Sequence, residues 1–171
     1  MQYHQMFAVV GVIALSAVFH APARAQTRQA ELEGFQEVPV VSTTGEGRCR
    51  VKISSDHTMI EAEISFSNLQ GNVTQAHIHL GQKDVNGGVA VFFCSNLPSP
   101  PAGTPFCPGP SGTVARFFFS TDVQNVVGAN GFQGIAPGEL EELITAIRKG
   151  KPYCNVHSDI FPAGEIRGQL Y

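Results

Sequence analysis

In "QAHIHLG", Gln75 to Gly81, two histidines stand one residue apart among apolar neighbours. Side chains of a strand alternate between its faces, so His77 and His79 project together, opposite Ala76, Ile78 and Leu80. Paired neutral imidazoles are the beginning of a zinc or copper site. A third histidine, His157, lies in "YCNVHSDI", where Cys154 and Val156 take the apolar side and Asn155 and His157 the other. In "GEIRGQLY" the same phase turns Ile166 and Leu170 inward and Glu165, Arg167 and Gln169 outward. If these strands are neighbours, His77, His79, Asn155, His157, Glu165 and Arg167 form one polar patch, with a proline-rich loop or a helix available to cover it. The competing reading is plainer. Outward residues of a sheet are polar because water is there, and Glu165 with Arg167 is then an exposed ion pair worth under about 1 kcal/mol. A buried structural network of the same groups is equally ordinary. The surface or structural reading is the favoured expectation, and a metal site at His77, His79 and His157 is its alternative.

Other catalytic signatures are missing from the sequence. No serine sits in a G-x-S-x-G setting and no glycine-rich phosphate loop follows a strand. Glu61 and Glu63 are paired carboxylates only in sequence, on a solvated face. Asn72-Val73-Thr74 is a glycosylation sequon, relevant only to a eukaryotic secretory route.

The elements that must position these residues are mostly strands. Ile60, Ala62, Ile64 and Phe66 alternate with Glu61, Glu63 and Ser65, and "RCRVKIS" alternates Cys49, Val51 and Ile53 with Arg48, Arg50 and Lys52. The turn formers "SSDHT" between them predict a hairpin, with His57 solvated in its turn. "GVAVFFC" and "GTVARFFF" are apolar on both faces and predict strands covered on both sides. Between them "SNLPSPPAGTPFCPGP" holds six of the eleven prolines and is a loop. One helix is expected in "PGELEELITAIRKG", where Leu140, Leu143, Ile144 and Ile147 form a stripe that must pack on the sheet. Glutamates fill its first turns, Arg148 and Lys149 lie near its end, and Gly150 is placed to stop it. A short helical turn at "TDVQN" would take Thr121 as its cap. The expected fold is an all-β antiparallel sandwich of roughly seven to nine strands with one helix inserted before the last two.

The ends and the bulk numbers bound the setting. Phe7 to Phe19 is a thirteen-residue apolar run, short for a bilayer span, and "APARA" follows it. Residues 1–25 therefore read as a signal peptide cleaved between Ala25 and Gln26, and 26–171 as one domain, secreted or periplasmic, with no transmembrane segment. Formal net charge is −3 and no basic stripe is present, which makes nucleic acid and anionic membrane surfaces poor candidate partners. Four cysteines in an exported chain predict two disulfides, with three pairings possible. A bridge Cys94–Cys107 would pin the proline-rich loop, leaving Cys49 for Cys154, and both of these share the inward phase of their strands. No C-x-x-C spacing supports a cysteine zinc site.

The chain resembles the CHRD domains, modules named after chordin and common in secreted bacterial proteins. The resemblance rests on "GFQEVPVVSTTGEG", "VTQAHIHLGQKDVNGGVAVFFC", "IRKGKPYCNVHS" and "FPAGEIRGQLY", which span Gln29 to Tyr171. It implies an immunoglobulin-like β-barrel distantly similar to copper/zinc superoxide dismutases. In chordin such domains belong to an extracellular inhibitor of growth factors of the bone morphogenetic type, a partner not transferable to a lone domain. On the dismutase side, His77 and His79 are similar to the His-x-His copper pair, His157 to a late histidine, and Arg167 to a basic residue that attracts an anionic substrate. No histidine falls between His79 and His157, so the bridging imidazole and the zinc loop have no counterpart. The leading expectation is a non-catalytic module that binds an extracellular protein or glycan through its loops. The alternative is a protein with a mononuclear copper or zinc site.

Overall fold

The computed structural model describes residues 26–171, and the expected signal peptide lies outside them. Alternating segments become strands Gln26–Glu33 (β1), Glu46–Ile53 (β2), Ile60–Ser67 (β3) and Val73–Leu80 (β4). They are followed by Gly88–Ser95 (β5), Gly112–Phe118 (β6), Val127–Gly128 (β7) and Gly131–Phe132 (β8). Helix α1, Leu140–Arg148, precedes Pro152–Ser158 (β9) and Ile166–Gln169 (β10). The count exceeds the expected range because β7 and β8 are a two-residue pair, too short to leave a period in the sequence.

Eight strands form one antiparallel sheet in the order β5-β4-β9-β10-β1-β2-β3-β6, folded so that its first four strands face its last four. The Cys49–Cys154 disulfide joins β2 to β9 across that fold, with Cα atoms 6.4 Å apart. At the far edges Phe93 of β5 meets Phe118 of β6 edge-on at 5.4 Å, and Arg116 Nη1 donates to the Phe92 carbonyl at 2.7 Å. This is a sandwich close to a closed barrel, of the immunoglobulin-like and superoxide-dismutase-like kind.

The two halves meet where β10 runs beside β1. Glu33 is in register with Arg167, and Gln29 and Tyr171 exchange backbone hydrogen bonds of 3.1 Å. Gly168 is needed there, because a Cβ would lie 2.3 Å from the Glu31 carbonyl oxygen. Between the halves lies the core of Cys49, Val51, Ile53, Ile60, Ile64, Ile78, Val156 and Leu170, all 1% exposed or less. Leu140, Leu143, Ile144 and Ile147 of α1 are buried with it, and Gly150, at φ +64°, ends the helix. The second disulfide, Cys94–Cys107, closes the proline-rich loop, where Asn96 Oδ1 accepts from Cys107 N–H at 3.0 Å. By loop-closure entropy the bridges are worth about 4–5 and about 3 kcal/mol, the larger for the longer span.

Three local expectations change. β6 is not covered on both sides: Val114 and Phe118 are buried but Phe117 is 55% exposed, because nothing packs outside this edge strand. His57 is not merely solvated. Its ring reaches α1, with Nε2 against Arg148 Nη2 and Nδ1 3.4 Å from Glu141. Thr121 caps nothing. The turn is a 3-10 segment, Ser120–Asp122, and Asp122 Oδ2 accepts from Phe119 N–H at 2.8 Å.

Candidate metal centre

β4 lies between β5 and β9, and β9 lies beside β10, so the three strands that carry the polar residues are neighbours. In register, His77 faces Asn155 and Asn155 faces Arg167. The period of two sends Ala76, Ile78, Cys154 and Val156 into the core and His77, His79, Asn155 and His157 to the other side. There one nitrogen from each of His77, His79 and His157 lies within 4.8 Å of the others. The cluster can coordinate a metal ion.

The patch is on the expected face, but the face is not wet. His77 is 1% exposed, His79 8%, His157 7% and Asn155 3%. Neither the proline-rich loop nor α1 forms the roof, since the first is tied to the end of β5 and the second lies in the core. Loops at 34–45, 81–87 and 159–165 form it instead. Asn86 Nδ2 donates to the Val38 carbonyl at 2.8 Å, tying two of them together. Arg167 holds the second by donating to the Gln82 and Val85 carbonyls and to Asn86 Oδ1, at 3.2, 2.9 and 3.2 Å. Asn155 Nδ2 donates to Glu37 Oε1 in the first at 2.6 Å.

The Glu165–Arg167 ion pair is not formed. Glu165 Oε1 accepts from Thr43 Oγ1 at 2.7 Å and from the Gln70 amide at 2.6 Å, which ties its carboxyl to the 34–45 loop and to the turn between β3 and β4. Arg167 instead lies flat on Tyr153, its Cζ 3.4 Å from the ring centroid, and Tyr153 stacks on His79 at 4.8 Å with a 3° interplanar angle.

Hydrogen bonding sorts the ring nitrogens. His79 Nδ1 donates to the Gly87 carbonyl at 2.9 Å and His157 Nδ1 to the Pro162 carbonyl at 3.0 Å. Each bond fixes the tautomer that leaves Nε2 as a lone pair, the arrangement usual behind metal-ligating histidines. Both Nε2 atoms are buried without a partner, and so are both nitrogens of His77. Orphaned buried nitrogens are uncommon and costly. His77 is held by packing alone, its ring edge-on to Phe92 at 4.3 Å. Burial lowers the pKa of all three rings, His79 to about 3, and their mutual repulsion as cations adds to this for His77 and His79. They are neutral bases at ordinary pH, the state that ligates. Glu37 moves the other way, its carboxyl pushed up to about 7 by burial.

A family comparison now bears on this geometry: the CHRD domain model matches residues 28–170. The chain belongs to the CHRD family. No curated protein and no solved structure matches it. In this CHRD domain the match takes in all three histidines and their roof. Tyr153 and Glu37 are the site residues that the sequence reading missed. Tyr153 shares the phase of Asn155 and His157, so alternation alone would have found it. Glu37 sits in a loop, where no period operates.

Proposed function

We propose that this protein is an exported CHRD domain that binds one transition-metal ion, copper or zinc, through His77, His79 and His157. The observation that carries the reading is the pair of Nε2 lone pairs, on His79 and His157, each set by a carbonyl behind its ring and each buried without a partner in a cluster shared with His77. A module that binds only through its loops leaves that arrangement unexplained. In a ligand-free core, four imidazole nitrogens without partners are a net cost. A metal would turn three of them into bonds. Tyr153 backs His79 by stacking on its ring, with Arg167 over the far side of Tyr153.

The test is elemental analysis of the purified protein after copper or zinc loading and desalting. About one ion per chain is expected, falling below about 0.1 in His77→Ala. Wild-type protein that keeps less than about 0.1 ion per chain would end the proposal. Bound metal should also raise the melting temperature in proportion to the logarithm of its free concentration over Kd.

A further inference from the structure

The charge balance of the centre points to a particular ion. Among the described residues, His77, His79 and His157 are the only group of three metal-ligating side chains, and an imidazole ligates as an uncharged base. No thiolate is available, because every cysteine is in a disulfide. The nearby charge is of the wrong sign for a cation. Arg167, 2% exposed, lies one aromatic ring behind His79. The carboxyl that could offset it, Glu37, is bound to Asn155 and is itself held toward its neutral form by burial.

We propose that the centre selects monovalent copper, holding Cu(I) on three neutral imidazoles in preference to Zn(II) or Cu(II). The inference rests on the metal-binding reading above. Desolvation cost grows with the square of an ion's charge, so a buried site without an anionic ligand penalises a divalent ion far more than a monovalent one. Repulsion from Arg167 doubles when the ion's charge doubles. Geometry acts in the same direction. Cu(II) favours tetragonal sites with further nitrogen or oxygen donors, and zinc is ordinarily four-coordinate. Three nitrogens within 4.8 Å, with Phe92 against His77 and Tyr153 against His79, supply three ligands and an apolar wall. Each tenfold preference for Cu(I) over Cu(II) raises the reduction potential of bound copper by about 59 mV.

Three titrations of the whole protein decide the matter. Cu(I) is delivered without oxygen against a chromogenic chelator, Zn(II) against a zinc indicator, and Ag(I), a redox-inert monovalent ion, as competitor for Cu(I). The expected result is one Cu(I) per chain, displaced by Ag(I), with Zn(II) bound more than about 1,000-fold more weakly. Zn(II) within about 1,000-fold of Cu(I), with both lost in His77→Ala, overturns the selectivity and leaves the metal-binding reading standing. Folded wild-type protein that takes up none of the three ions overturns both. Arg167→Met supplies a readout that mere structural damage would not move: the Cu(I)-over-Zn(II) ratio should fall by about tenfold or more. An unchanged ratio in a folded variant removes the role given to Arg167, and the wild-type titrations decide even if that variant does not fold.

Discussion

The outer faces of the two halves of the sheet obey one rule and meet different fates. On β2 and β3, Arg50, Glu61 and Glu63 alternate with core residues and stand in water. Lys52 and Glu61 pair at 2.9 Å while about half exposed, a contact worth under about 1 kcal/mol. On β4, β9 and β10, His77, Asn155, His157 and Arg167 alternate just as regularly and are almost fully buried. Alternation decides the side of the sheet a residue faces, and the loops decide whether that side is wet. Where loops cover it, each polar group needs a partner. Asn155 and Arg167 have theirs within the chain, and the imidazoles are short of theirs by four nitrogens.

The comparison breaks most visibly at its two arginines. Arg167→Met, which leaves the Gln82 and Val85 carbonyls without their donor, should cost about 3 kcal/mol in denaturant unfolding. Arg50→Met, on the open face, should stay within about 0.5 kcal/mol. Equal effects would mean that the loops do not seal the site in solution. Next come the ligands. His79→Ala or His157→Ala should weaken copper binding by about 100-fold or more in chelator competition, whereas His57→Ala, in the β2–β3 turn, should leave it unchanged.

Acid sharpens the contrast further. The buried histidines have folded pKa values below the unfolded value of 6.5. Below that pH the unfolded chain binds protons that the folded chain refuses, so their contribution is complete above about pH 6.5 and is lost as pH falls. For His79, with its pKa of about 3, the loss between pH 6.5 and 5 is about 2 kcal/mol in the metal-free protein. Glu37 has the opposite sign. Its folded pKa of about 7 exceeds the unfolded 4.5, so its contribution is complete below about 4.5 and lost as pH rises through 7. Unfolding of Glu37→Gln followed from pH 4 to 8 should lack that loss. Within the roof the smallest effect belongs to Asn86→Ala, which unties two of its loops: about 1 kcal/mol of stability and faster hydrogen exchange at the Gly87 amide.

Much of this was readable in the chain. Cys49, Val51 and Ile53, then Ile60 to Phe66, gave their strands and phase, and Leu140 to Ile147 gave the helix, because each signal is local. The three histidines share one face for the same reason. Their burial was not readable, since it depends on Asn86 meeting Val38 and Arg167 meeting Val85, contacts between loops distant in sequence that carry no period. Glu165 departs from the expected patch because it lies just before β10, where its carboxyl accepts from Thr43 and Gln70.

The Cys49–Cys154 crosslink has a consequence for how such a centre comes to completion. Cys154 sits between Tyr153 and Asn155 and is in register with Ile78, the residue separating the two histidines of β4. The sulfur bridge thus nails down, from beneath, the plank whose upper side carries the imidazoles. A chain whose thiols are still reduced lacks that fastening, so the oxidised protein should take up metal more readily than the reduced one when the two are loaded side by side.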